Sequence, residues 1–507
     1  MIKSIILSAC LLFIQFNYAA AQTGKTPTNV LVIIADDMSM NAGIYGDKTI
    51  KTPGIDGVGK DGVIFDQAYC AASSCTPSRA SILTGRYPHQ LKEGGNLWST
   101  LPIEYANYTH LLANKGYKIG LTGKGWGPGD FKPGGYKENP AGPDYKNFEE
   151  FLTQLPASKP FCFWLGSHDP HRPYFPDLKK TVEFNNSELK VPVWLPDNDI
   201  VREDLLDYYA AVKRFDQTVE EAIALLKKNG LYDNTLIIVT SDNGMPFPRV
   251  KANAYVASTN IPLVMRWGNH LKKGRLKEFV SLIDLAPTIL DVTNTAIPKS
   301  MTGKSLLPLM STGKTDKRFD TVFTERERHA RVRTNNMSYP IRAVRTKEYV
   351  YIENLKPDRW PAGDPVSAEA TGPFGDIDNG GSKKFIVDNR NNPQFKNQVN
   401  WSLEKRPAIE LYDLKKDTNQ LRNVADDPAY NKIKKSLGNS LLQWRRRTED
   451  PLLTTDKDIF DTYPYYGKIK TSSVNIANFE EKPKNEGKTK KKKKLPPPSF
   501  KNQKVNQ

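Results

Sequence analysis

Three apolar runs in this chain end abruptly in polar residues. NVLVIIA stops at Asp36 and Asp37, TLIIVTS stops at Asp242 and Asn243, and FCFWLG runs on to His168 and His171. Runs of this length without alternation predict strands buried on both faces, as in parallel sheets. Between them apolar positions fall at helical spacing, as over 204–228, with Gly230 just beyond. Strands alternating with helices predict an α/β fold, a mainly parallel sheet between layers of helices, and in such sheets ligands gather outside the carboxyl ends of the strands. The polar strand ends are therefore expected to share one crevice.

Beyond Met337 the pattern changes. YPIRAVRTKEYVYIENL alternates like strands with one exposed face, and AIELYDLKKDTNQLRNVADDPAYNKIKKSLGNSLLQWRRR reads as a strand and turn leading into a helix. This predicts a smaller α+β domain with an antiparallel sheet over 337–466, after a main domain over 22–336. GPFGDIDNGGSKK, rich in Gly, Asp and Asn, reads as a long loop able to close over the crevice. At the start, Lys3, an apolar run from Ile5 to Phe16 and Ala19-Ala20-Ala21 form a signal peptide over 1–21. The run is shorter than the roughly 18 to 20 residues of a membrane span, so export to the periplasm or medium is expected, with no transmembrane segment. LSAC, at Leu7 to Cys10, resembles a lipoprotein box but has almost no apolar segment before its cysteine.

With 507 residues and 38% hydrophobic content, the chain can bury a large core. The net charge of +17 owes much to the lysine-rich tail over 467–507. Such a run can hold a polyanion but reads no base sequence, and no aromatic-interleaved module accompanies it, so nucleic-acid binding is excluded. Of four cysteines, Cys70, Cys75 and Cys162 outlast the leader, an odd number for an exported protein.

Asp36, Asp37, Asp242 and Asn243 are hard oxygen ligands suited to Ca²⁺ or Mg²⁺ and poorly suited to Zn²⁺, although each pair alone is also a common cap or turn. In SSCTPSRASILTG, Cys75 stands just before Pro77, which pre-sets the first turn of a helix whose free N–H groups favour an anion. A nucleophilic thiolate would need a histidine base, and spacing alone names none.

Cys75-Thr76-Pro77-Ser78-Arg79, followed by Leu83-Thr84-Gly85, resembles the signature of type I sulfatases. The resemblance implies an alkaline-phosphatase-like fold, oxidation of Cys75 to formylglycine (3-oxoalanine) by a formylglycine-generating enzyme, and one Ca²⁺ held by Asp36, Asp37, Asp242, Asn243 and the modified Cys75. It also implies a hydrated aldehyde: one hydroxyl attacks sulfur and the other collapses to release sulfate. By the same resemblance Arg79 holds the formylglycine, Lys124 and Lys251 bind sulfate, and His168 contacts sulfate and protonates the leaving group. HDPHR, SDNGMPFP, SLIDLAPTILD, MTGKSLLP and MSYPIR resemble the sulfamidase (heparan N-sulfatase) branch and its bacterial polysaccharide-sulfatase relatives. One departure is Trp126, where the family usually has a histidine that polarises the formylglycine hydroxyl.

His171 and Arg172, with Arg326, Arg328 and His329 of TERERHARVR, are the candidates for substrate contact, since Arg pairs bidentately with carboxylate or sulfate. The expectation is a sulfatase acting at accessible ends of a sulfated glycan, an algal O-sulfated chain such as ulvan ahead of N-sulfoglucosamine in heparan-type chains. Two alternatives stay open: a phosphatase or phosphodiesterase of the same fold, against which Cys75 and Asn243 argue, and a non-catalytic polyanion-binding homologue.

Overall fold

A computed structural model describes residues 27–366, 372–455 and 457–468. The expected leader and the tail beyond residue 468 lie outside the described residues. No helix among the described residues is long and apolar enough to cross a membrane.

The main sheet has seven strands in the order β3–β4–β1–β5–β6–β2–β7. They are β1 (Asn29–Ala35), β2 (Val63–Tyr69), β3 (Lys118–Gly123), β4 (Phe161–Gly166), β5 (Thr235–Ser241), β6 (Leu263–Arg266) and β7 (Gly274–Ser281). All run parallel except β6, which is antiparallel to both its neighbours, β5 and β2. In β1, Val30, Val32 and Ile34 enter one apolar cluster while Leu31, Ile33 and Ala35 enter another. Both faces are covered, which is why the run carries no polar alternation. The helix Asp199–Lys228 covers the second face with Val201, Leu205, Tyr208, Val212 and Phe215. It starts earlier than its apolar spacing predicts because Asn198 caps it, accepting from the Val201 N–H.

The register makes the strand ends coincide. Ile34 stands opposite Gly166 and Ala35 opposite Ser241. The ladder then continues past the strands, with Ser167 N–H donating to Ile34 O at 2.9 Å and Asp36 N–H to Asp169 O at 2.9 Å.

The second sheet has the order β11–β10–β9–β8 and is antiparallel throughout, from β8 (Thr321–Arg326), β9 (Ile341–Thr346), β10 (Tyr349–Asn354) and β11 (Ile409–Asp413). Leu437, Leu441 and Trp444 of the helix Asn431–Arg447 pack on Val344, Tyr351 and Leu411. β8 lies ahead of the boundary expected at residue 337. Its run ends in Glu325 and Arg326, buried charges that disguise it as a polar turn. Glu325 N–H donates to Ala71 O at 2.8 Å and so joins the two sheets.

A buried ionic knot holds this junction. Asp450 accepts from Arg342 at 2.9 and 3.0 Å and from Arg445 at 2.7 Å, and His89 Nδ1 lies 2.5 Å from Glu325. Burial raises the Asp450 carboxyl, but Arg342, His89 and Arg445 outweigh it and hold it below the usual range. Asp450→Asn should destabilise the protein by about 3–5 kcal/mol at neutral pH, read as a lower urea midpoint. Because the folded value is depressed, this stabilisation is present above the unfolded value of about 3.9 and is lost as pH falls below it. The difference between variant and wild type should therefore shrink in acid.

Candidate active site

The Cys75–Thr84 helix ends on αL Gly85 and is buried along its whole length, with its first residue at the carboxyl edge of the sheet. The residues on either side of Cys75 are tied down: Ser74 Oγ lies 2.8 Å from His329 Nδ1, and Thr76 donates to Pro128 O. Cys75 Sγ lies 3.4 Å from Asp36 Oδ1 and 3.8 Å from Asp37 Oδ1.

One turn further, Arg79 is fully buried. It donates to Asp242 Oδ2 at 2.7 Å, to Lys124 O at 2.8 Å, to Gly125 O at 3.0 Å and to Asp36 Oδ1 at 3.4 Å. Lys124, just past β3, donates to both oxygens of Asp36 at 2.7 and 2.6 Å. Lys251 Nζ sits between Asp37 Oδ2 at 2.7 Å and Asp378 Oδ2 at 2.8 Å. Asp37 takes a positive φ of 70°, and its N–H donates to Asp242 Oδ1 at 3.0 Å.

The oxygen-rich end of this array fits a hard cation. Carboxylate oxygens of Asp36, Asp37 and Asp242 lie within 4.8 Å of one another. Asn243 donates to Asp37 at 2.5 Å, while its buried Oδ1 has no hydrogen-bond partner among the described residues. Burial, with Asp36 and Asp37 beside it and against Arg79, pushes the Asp242 carboxyl up to about 6. A cation would relieve this crowding and use the orphaned oxygen.

His168 is exposed at the mouth of the crevice. Desolvation by the surrounding walls, reinforced by Lys124, lowers its imidazole to about 4. His171 lies 3.7 Å from Asp37 Oδ2, and His329 is buried behind Ser74. The structure takes three expected substrate contacts elsewhere. Arg172 grips Asp204 at 2.6 and 2.8 Å, and a Cβ on Gly380 would come within 2.3 Å of its guanidinium, so this arginine is packed beneath the Gly380 backbone. Arg326 pairs with Asp376, and Arg328 donates to Tyr463 O and Pro464 O at 2.8 Å each. Both are buried, because each holds a returning segment in place. Sequence reasoning missed Asp378, whose only signal was the acidic GPFGDIDNGG loop. Trp126 is buried in the apolar cluster, clamped through its backbone by Asn139, and presents no base to Cys75.

The description "Sulfatase" matches residues 28–295, more than half the chain. The chain belongs to the sulfatase family. As a sulfatase it is a sulfuric ester hydrolase. A second model, "N-sulphoglucosamine sulphohydrolase, C-terminal", matches residues 250–364. Human N-sulphoglucosamine sulphohydrolase is 28% identical, over 84% of this chain and 91% of that protein. An ulvan-active sulfatase from Formosa agariphila is also 28% identical, over 84% and 81%. Among solved structures, a protein in complex with its substrate D-glucosamine-2-N,6-O-disulfate shares the fold with TM-score 0.63 at 19% identity, over 86% and 99% of the chains. A phosphonate monoester hydrolase of Agrobacterium radiobacter has TM-score 0.62 at 18% identity, over 83% and 96%, so the fold alone does not choose the ester.

If Asp36, Asp37, Asp242 and Asn243 hold a cation, Ca²⁺ should raise the thermal midpoint of this sulfatase, by about 2.7 kcal/mol of stability at a hundred times its Kd. Asp37→Asn should remove most of that gain in a thermal-shift titration. A full response in the variant would put the cation elsewhere.

Proposed function

We propose that the protein removes sulfate from a sulfated polysaccharide or its oligosaccharides, working at accessible ends of an algal O-sulfated glycan such as ulvan. The observation that carries this is the set of Asp36, Arg79 and Lys124 around Cys75 at a helix N-terminus. The Formosa relative and the glycine-rich 125–129 loop, with Trp126 in place of the usual histidine, support the O-sulfate reading. The second reading, N-sulfoglucosamine in heparan-type chains, is favoured by the match over 250–364. Export by the signal peptide to the periplasm or medium agrees with such a substrate.

Asp36, Asp37, Asp242 and Asn243, with residue 75, would hold Ca²⁺. Formylglycine at residue 75, made by a formylglycine-generating enzyme, would supply a hydroxyl nucleophile for sulfur, with Ca²⁺ neutralising the sulfate oxygens. Lys124 and Lys251 bind sulfate from two sides, each held by a carboxylate that sets its direction. Arg79 fixes the helix start against Asp242. His168, open to solvent, donates a proton to the departing oxygen or nitrogen. Desolvation by the crevice walls lowers the imidazole first and Lys124 second, so proton donation by His168 should show as a rate that falls as pH rises.

The test is sulfate release, by protein made with a formylglycine-generating enzyme, from ulvan oligosaccharides and N-sulfated glucosamine, with Cys75→Ala as control. Cys75→Ala should release none while retaining its fold; release by this variant would overturn the nucleophile, and polyanion binding without release by the wild type would favour the non-catalytic alternative. His168→Ala should cost about 10² to 10⁴ in kcat on sugar sulfates and far less on 4-nitrophenyl sulfate, whose leaving group needs no proton. Equal losses on both would remove His168 from proton transfer.

A further inference from the structure

We propose that Trp98 and Tyr465 form a stacking platform for a second sugar ring, next to the one that carries the sulfate. The proposal rests on the glycan reading above and extends it to a site that the catalytic residues do not include.

Both neighbours of Cys75 lead to Trp98. On one side Ser74 meets His329, and the adjacent Arg328 accepts at its carbonyl from Leu97 N–H at 3.0 Å. On the other, Thr76 bonds Pro128 O, and the next residue, Gly129, bridges to Ser99, whose carbonyl also accepts from Asp130 N–H at 2.9 Å. Leu97 and Ser99 flank Trp98, so two arms from the nucleophile position close on this one residue. Gly129 can make the approach because it has no side chain: a Cβ there would lie 2.3 Å from Ser99 O.

Trp98 is held with φ 53°, a backbone state that a bulky residue adopts only when its surroundings impose it. Its carbonyl accepts from Tyr466 N–H at 2.7 Å, and its ring lies 6.3 Å from that of Tyr465, tilted by 50°. Arg328, which donates to Tyr463 O and Pro464 O, places its guanidinium 5.8 Å from the Tyr465 ring. This strap is thus anchored by a buried arginine, while Trp98 and Tyr465 are each half-buried. Among the described residues, neither Trp98 nor Tyr465 belongs to an apolar cluster of the core. Two half-open rings, reached by both arms from the nucleophile position, suit the apolar face of a pyranose.

The test is binding to Cys75→Ala protein, which needs no turnover, so a failure of sulfate release by the wild type is read separately and refutes only the catalytic proposal. Two ligand pairs are compared by calorimetry: an ulvan tetrasaccharide with the sulfated monosaccharide cut from it, and an N-sulfated heparan-type tetrasaccharide with N-sulfoglucosamine. In one pair the tetrasaccharide should bind more tightly. Adding Trp98→Ala should weaken that tetrasaccharide about tenfold, leave the monosaccharide unchanged, and be largely rescued by Trp98→Phe. Tyr465→Ala, on a different segment, should act in the same direction and covers the case in which Trp98→Ala does not fold. Tetrasaccharides that bind no better than their monosaccharides, or equal losses on long and short ligands, would overturn the platform.

Discussion

Arg79 is the hub on which the crevice depends. Its guanidinium reaches Asp36 after β1, Asp242 after β5 and the carbonyls of Lys124 and Gly125 after β3, from a helix whose own first residue is Cys75. One fully buried, permanently charged fork therefore fixes three strand ends and the helix start relative to one another. No lysine could reproduce this, because a point charge cannot satisfy divergent acceptors in one plane. The constraint works in both directions: carboxylates this close and this dry need cations, and a buried guanidinium needs the carboxylates.

The same device recurs further out. Arg172 on Asp204, Arg326 and Arg333 on Asp376, and Arg328 on the Tyr463–Pro464 carbonyls each pin a segment that returns to the crevice from a distant part of the chain. Asp204 also accepts from Ser382 N–H at 2.9 Å. The loop bearing Asp378 is thus anchored at Asp376 and again at Ser382, and Asp378, between them, faces Lys251. Positions that look like anion readers along the sequence act inside the fold as rivets.

This distinction marks the limit of what the sequence discloses. The strand ends at Asp36, Asp242 and His168 were legible because a doubly buried strand leaves an unbroken apolar run, and its end is visible as the first charge. The helix after Cys75 was legible from Pro77 and the motif around it. Arg326 and Arg328 were not, since an arginine's partner is chosen by tertiary approach, and both partners lie far along the chain. β8 was hidden because its closing charges are buried, against the usual association of charge with solvent. Asp378 reaches the crevice through a loop, where periodicity carries no signal.

The charges also bear on which anion the crevice suits. Asp36, Asp37, Asp242 and Asp378 set four negative charges against the three positive charges of Arg79, Lys124 and Lys251. His168, lowered to about 4 by desolvation and then by Lys124, adds little positive charge at neutral pH. Protein alone therefore leaves the crevice one charge short of neutral and unreceptive to anions. A divalent cation on the carboxylates would reverse the sign and leave a surplus of one positive charge. A sulfate ester carries a single negative charge at neutral pH, whereas a phosphate monoester carries close to two. The balance therefore favours a monoanionic ester, which fits sulfate. With the charge matched so closely, little electrostatic preference remains for one sulfated sugar over another, and selection between them falls to contacts beyond the sulfate.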